Sequence, residues 1–140
     1  MLEADMKYRY QWFDMNASIA HINVSDAGAI NTYQASVLDP ADVASGIFGW
    51  NIQAGIHLPQ LLNMSTSQDV VPFIMYEFID TQNQMPVGFA GDPANRRKVT
   101  TAGISYLPVP VVAVKFDYQH ISRGDDTNED QVNLGLAYMF

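Results

Sequence analysis

The last ten residues, QVNLGLAYMF, put a large apolar or aromatic side chain at every even position: Val132, Leu134, Leu136, Tyr138 and Phe140. Gln131, Asn133, Gly135 and Ala137 between them are polar or small, and Met139 is the one exception. A period of two is the signature of a β-strand with one apolar and one polar face. Terminal residues of soluble domains commonly fray. A strand that runs to a final aromatic therefore points to the closing strand of a bacterial outer-membrane β-barrel, with that aromatic at a membrane interface. The edge strand of a soluble sandwich fits the same ten residues, so the rest of the chain has to decide.

The pattern recurs upstream. Residues 46–58 (GIFGWNIQAGIHL) alternate Phe48, Trp50, Ile52, Ala54, Ile56 and Leu58 with Gly49, Asn51, Gln53, Gly55 and His57. This stretch slightly exceeds the ~9–11 residues that a tilted strand needs to cross hydrocarbon, whereas strands of soluble proteins average about 5–6 residues. Further strands are expected near residues 6–22, 69–79, 98–107, 111–121 and 131–140. The strand at 6–22 opens on Tyr8, Tyr10, Trp12 and Phe13, an aromatic cluster that suits a girdle. Residues 69–79 are apolar on both faces and carry Pro72, which removes a ladder donor. That stretch reads more like a strand buried in a soluble protein.

Between these strands, residues 24–45, 80–98 and 122–130 are expected as long loops, the first with a helical turn around Asp26 to Gln34. Residues 59–68 and 107–110 are expected as shorter connections. A long–short rhythm matches the external loops and periplasmic turns of a bacterial barrel. It places the long loops outside and the start of the first strand inside. Nearly all charge falls in the loops, and within the clearest strands only on the face opposite the apolar stripe. A lipid-facing charge costs about 2–4 kcal/mol at the bilayer midplane, so a membrane would enforce this exclusion.

Composition narrows the classes. Fifteen acidic against seven basic residues give a net charge of −8, which opposes nucleic-acid binding. Cysteine is absent, so neither disulfides nor thiolate metal sites are available. No window approaches the ~18 continuous apolar residues of a membrane helix, so any membrane crossing is by strands. The start, MLEADMKYRY, lacks the basic segment and apolar core of a signal peptide. The outer-membrane reading therefore implies a mature piece, a truncated product or a fragment.

The run PFIMYEFIDTQNQMPVGFAGDPANRRKVTTAGISYLPVPVVAVKFDYQ and the ending NLGLAYMF resemble the C-terminal part of Gram-negative porin-like proteins, in particular the phosphate-selective-porin-like family. SDAGAIN and FGWNIQAG upstream resemble the same group, so the likeness covers roughly residues 12–140. It implies an all-β fold, an antiparallel transmembrane β-barrel integral to the bacterial outer membrane, of which about the last six strands are present. Six strands do not close a barrel, since single-chain examples begin at about eight. The resemblance also implies a homo-oligomer, a trimer, for the full-length form. Its anion selectivity is not carried over, because this chain is acidic.

The expected function is passive diffusion of small hydrophilic solutes or ions through a water-filled pore, with outer-membrane lipid as the other partner. The expected pore-lining residues are Asp14, Asn16, Asn51, Gln53, Glu77, Lys115, Asp117, Gln119 and Asn133. Lys115 and Asp117 share a face, with Glu77 a candidate neighbour, and such charges bias which ions pass. Trp50, Ile52, Ile104, Tyr106, Val114, Phe116, Tyr118, Leu134, Tyr138 and Phe140 are expected to face lipid or form the girdle. The competing readings are a soluble all-β binding or structural domain and a non-conducting membrane scaffold.

No chemistry is expected. His21, His57 and His120 lack metal-ligand spacing, and no cofactor is implied. His120, near a strand end, is read as an interface residue. No nucleophile elbow occurs, so no enzymatic activity is expected. Asp125, Asp126, Glu129 and Asp130 lack the ligand order of a calcium loop and read as a solvated acidic loop. Arg96, Arg97 and Lys98 read as a charged loop base.

Overall fold

The computed structural model describes residues 1–37 and 42–139. Seven strands form one antiparallel sheet in sequential order: β1 (Leu2–Tyr10), β2 (Phe13–Asn23), β3 (Gly46–Ile56), β4 (Asp69–Gln84), β5 (Arg96–Val109), β6 (Val112–Arg123) and β7 (Asn128–Tyr138). The fold is all-β, as the alternation requires. The sheet is open, with β1 and β7 at its edges.

One more strand is present than the sequence pattern indicated. The stretch at 6–22 is a hairpin, in which Tyr10 pairs with Phe13 across a two-residue turn at Gln11 and Trp12. Gln11 takes φ 48, a left-handed conformation usually marked by Gly or Asn in hairpin turns. The apolar phase moves from even residues (Tyr8, Tyr10) to odd ones (Phe13, Met15), as a two-residue turn demands. The aromatic cluster is thus the closed end of a hairpin, with Tyr8 and Phe13 at 6.4 Å and Trp12 and Phe13 at 6.3 Å.

The extra strand revises the layout of the connections. At one end of the sheet lie the turns at 11–12 and 110–111 and the 57–68 connection, which holds the short helix α2 (Leu58–Leu61). At the other lie 24–45, with α1 (Ala27–Val37), then 85–95 and 124–127. The 124–127 connection is a tight turn rather than a long loop, because β6 and β7 pair from Val112–Tyr138 up to Ser122–Asn128. The first strand starts at the end that carries α1, opposite to the expectation, because the stretch taken as one strand is two, β1 and β2.

Pro72 lies one residue beyond the last β3–β4 pair, Gly55–Phe73, where the ladder towards β3 has already ended. Gly103 is fixed by close approach: a Cβ there would stand 2.5 Å from the Phe116 carbonyl oxygen and 2.8 Å from the Phe73 ring. Gly103→Ala is expected to lower stability by about 1–3 kcal/mol through overpacking, read as a lower urea midpoint for the refolded chain.

Candidate functional site

The pairing register assigns every strand residue to one of two faces, because successive side chains point to opposite sides. Ala17, Ile52, Tyr76, Thr100, His120 and Asp130 form one continuous cross-strand row, and its face collects the apolar stripes of all seven strands. On it lie Trp50, Ile52, Ile104, Tyr106, Val114, Phe116, Tyr118, Leu134 and Tyr138. Phe140 lies outside the described residues. Aromatic residues mark both ends of this face. Trp50 and Tyr76 at 5.5 Å, Phe48 and Phe78 at 6.2 Å, and His21 and Phe48 at 6.4 Å cluster towards the α1 end. Tyr8, Tyr10, Phe13 and Tyr106 lie towards the other. From Lys98 to Tyr106 the strand advances about 27 Å at ~3.4 Å per residue.

Asp14, Asn16, Asn51, Gln53, Glu77, Lys115, Asp117, Gln119 and Asn133 all fall on the opposite face. They occupy successive rows: Asn51 beside Glu77; Asn16 and Gln53 in the row of Thr101 and Gln119; Asp14, Asp117 and Asn133 in the row of Phe73 and Gly103; then Lys115. Side-chain hydrogen bonds and an ion pair link residues of this polar face. Asn51 Nδ2 donates to Ser18 Oγ at 2.6 Å, and Asn133 Nδ2 donates to Asp117 Oδ1 at 2.9 Å. Lys115 Nζ sits 3.5 Å from Asp117 Oδ2 and 4.5 Å from the Phe73 ring centre. Glu77 stands two rows from Asp117, so the expected trio reduces to the Lys115–Asp117 pair.

Burial is inverted relative to a water-soluble sheet. Val71, Phe73, Val99, Thr101, Asp117 and Ile121 are buried, and all lie on the polar face. Of the apolar residues described on the other face none is buried. Phe116 is 53% exposed and Leu134 78%, while Asp117 is 5% exposed. The odd residues of 69–79, apolar where alternation calls for polarity, supply Val71 and Phe73 to the polar face. There Phe73 packs beneath Lys115 and beside Gly103, and Val71 packs beside Gly55.

One cluster was not legible in the sequence. His57 Nδ1 lies 2.5 Å from Asp69 Oδ2, and its Nε2 lies 3.1 Å from Asp14 Oδ2, with the residue 8% exposed overall. His57 thus bridges the two acidic side chains through both of its ring nitrogens. Asp14 and Asp69 come from the starts of β2 and β4 and His57 directly follows β3, and the His57 amide donates to the Trp12 carbonyl at 2.7 Å. The cluster ties the 57–68 connection to the sheet. Sequence separations of 12 and 43 residues leave no motif; the single available signal was a histidine ending an otherwise apolar-alternating strand.

His120 lies at the α1 end of the apolar face, its Nδ1 2.8 Å from Asp130 Oδ1, which also accepts from Tyr118 OH at 2.7 Å. Arg96 to Lys98 begin β5 rather than ending a loop, since β5 pairs with β4 up to Asp80–Arg96. No group of three or more histidines or acids disposed to hold a metal occurs among the described residues.

No protein-family model matches the chain, and no solved structure matches it. A protein of Aquifex aeolicus (strain VF5), described as an uncharacterized protein, is 28% identical over 137 residues. The match covers 95% of this chain and 31% of the relative, so the chain spans about a third of the length of the protein it resembles.

Proposed function

We propose that the sheet is part of the wall of a transmembrane β-barrel in the bacterial outer membrane, and that its polar face lines a water-filled pore for passive diffusion of small hydrophilic solutes or ions. The observation that carries this reading is the inverted burial. Leu134, Leu136 and Phe116 stand exposed while Thr101 and Asp117 are buried on the opposite face. In water an exposed apolar face of this extent is unfavourable; against acyl chains it is the required surface. The strand lengths of 9 to 16 residues and the aromatic rows at both ends agree with a crossing sheet.

Seven strands fall short of the roughly eight that a closed barrel needs, and unpaired edges invite further pairing. Strands from a longer polypeptide complete the wall on this reading, and a relative about three times as long as this chain has room for them. The two-residue turns at 11–12 and 110–111 belong at the periplasmic end and α1 at the cell surface. In the rows from Glu77 to Lys115 the polar face carries Asp5, Asp14, Glu77, Asp117 and Glu129 against Lys7, Arg9 and Lys115, so the pore is not assigned to anions.

The absence of cysteine makes single-cysteine labelling a direct test. In lipid vesicles, Gln53→Cys and Gln119→Cys are expected to react with a water-soluble methanethiosulfonate, and Ile52→Cys and Phe116→Cys only with a membrane-permeant maleimide. Equal labelling of neighbours 52 and 53 by the water-soluble reagent would return the sheet to the soluble class. In planar bilayers, discrete conductance steps that shrink when the Gln53→Cys variant is labelled separate a pore from a non-conducting scaffold.

A further inference from the structure

We infer that Arg96 and Lys98, with Ser122 and Asn128, form a binding site for the phosphate groups of lipid headgroups on the outer rim of the sheet. Four of the chain's seven lysines and arginines (Arg96, Arg97, Lys98 and Arg123) gather at this one corner of a protein whose net charge is −8. Register divides them. Lys98 pairs with Phe78 and Ser122, and Ser122 with Asn128, so Arg96 and Lys98 belong to the apolar face and Arg97 to the polar one. Arg96, Lys98, Ser122, Arg123, Asp126 and Asn128 line a cleft of about 360 Å³, within the range of small-ligand sites.

The donors at this corner are unequally engaged. Arg123 is committed to Glu129, its Nη2 2.8 Å from the carboxylate oxygen. Among the described residues neither Arg96 nor Lys98 has a carboxylate within ion-pair distance. Arg96 is held in place from below: the Gly124 amide donates to its carbonyl at 2.9 Å, and a Cβ on Gly124 would stand 3.1 Å from Nε. Asp126 lines the cleft, and Asp80 is paired opposite Arg96 while accepting from the Gln82 amide at 3.0 Å. With two carboxylates near, attraction rests on directed donors rather than on a diffuse positive field. Guanidinium and ammonium groups beside a hydroxyl and an amide suit the oxygens of a phosphomonoester.

Position selects a lipid over a dissolved anion. Lys98 lies in the same cross-strand row as Trp50 and Phe78, at the aromatic level where the apolar face ends. On the proposed membrane orientation, on which this inference rests, that is headgroup depth, and a lysine there extends its charge to the surface.

The test uses the full chain refolded in dodecylmaltoside and titrated with diphosphoryl lipid A, with inorganic phosphate as the soluble comparison. Diphosphoryl lipid A is expected to bind, and the double variant Arg96→Gln, Lys98→Gln to bind about 30-fold more weakly, from the usual worth of two surface cations. Arg97→Gln, a charge loss at the intervening residue on the other face, is expected to change affinity less than twofold. Equal weakening by both variants, or by neither, overturns the site. Inorganic phosphate competing at comparable concentration reassigns it to a free anion and overturns the lipid occupant. Quenching of Trp50 by brominated phosphatidylcholine, in a Trp12→Phe background, tests the membrane reading separately. Quenching without lipid A binding overturns this site alone, and absence of quenching overturns both.

Discussion

Phe116→Arg is expected to destabilise the lipid-inserted protein by about 2–4 kcal/mol, the cost of a charge near the bilayer midplane, or roughly 30- to 1000-fold in the folding equilibrium. Phe116 pairs with Ile104 on one side and Leu134 on the other, in the middle rows of the apolar face. An arginine there has no partner and must bend to the interface or draw water into hydrocarbon. The same substitution in a soluble sheet is predicted to be near neutral, within about 0.5 kcal/mol, because Phe116 is already 53% exposed. Gln119→Arg, three residues on and on the polar face, serves as the control, with a change below about 1 kcal/mol expected. Urea titrations in phosphatidylcholine vesicles, followed by tryptophan fluorescence, give both numbers. Matching small effects at 116 and 119 would remove the membrane from the account.

His57→Leu is expected to cost about 2–4 kcal/mol. Removing one partner from a buried ionic cluster costs about 3–5 kcal/mol, and the discount reflects residual solvent at Asp14 and Asp69, whose side chains are 29% and 19% exposed. The loss comes from two acidic side chains left facing each other without the imidazole ring between them. Asp69 Oδ1 already lacks a hydrogen-bond partner among the described residues, so that carboxylate has little alternative solvation. The double variant Asp14→Asn, His57→Leu relieves part of this repulsion and is expected to be more stable than His57→Leu alone. Such non-additivity is what direct coupling predicts, and additive losses would show that the cluster does not act as a unit. Because the cluster anchors the 57–68 connection, His57→Leu is also expected to raise the protease sensitivity of that connection before the strands unfold.

Several features were legible before any coordinates. The division of residues into two faces follows from side-chain alternation, and register then joins the stripes of seven strands into two continuous surfaces. The candidates at Asn51 and Gln53, or at Phe116 and Leu134, separate onto opposite faces because each strand keeps its phase. The helix at 27–37 falls where alternation lapses. The turn at Gln11 and Trp12 was not legible, because neither residue carries the conformational preference that marks hairpin turns. Its trace was the change of apolar phase between Tyr10 and Phe13, which a single long strand cannot produce without a bulge.

Local patterning determined the all-β class, the two faces and the positions of most strands, because a period of two is a property of neighbouring residues and needs no partner to be read. The tertiary structure alone decided the strand count, which end each connection occupies, and the meeting of Asp14, His57 and Asp69. It also decided why 69–79 breaks its pattern: Val71 and Phe73 fill the polar face where Gly55 and Gly103 leave space for them. Those facts depend on which residues become neighbours after pairing, and pairing is set by register between strands rather than by the order of residues within one.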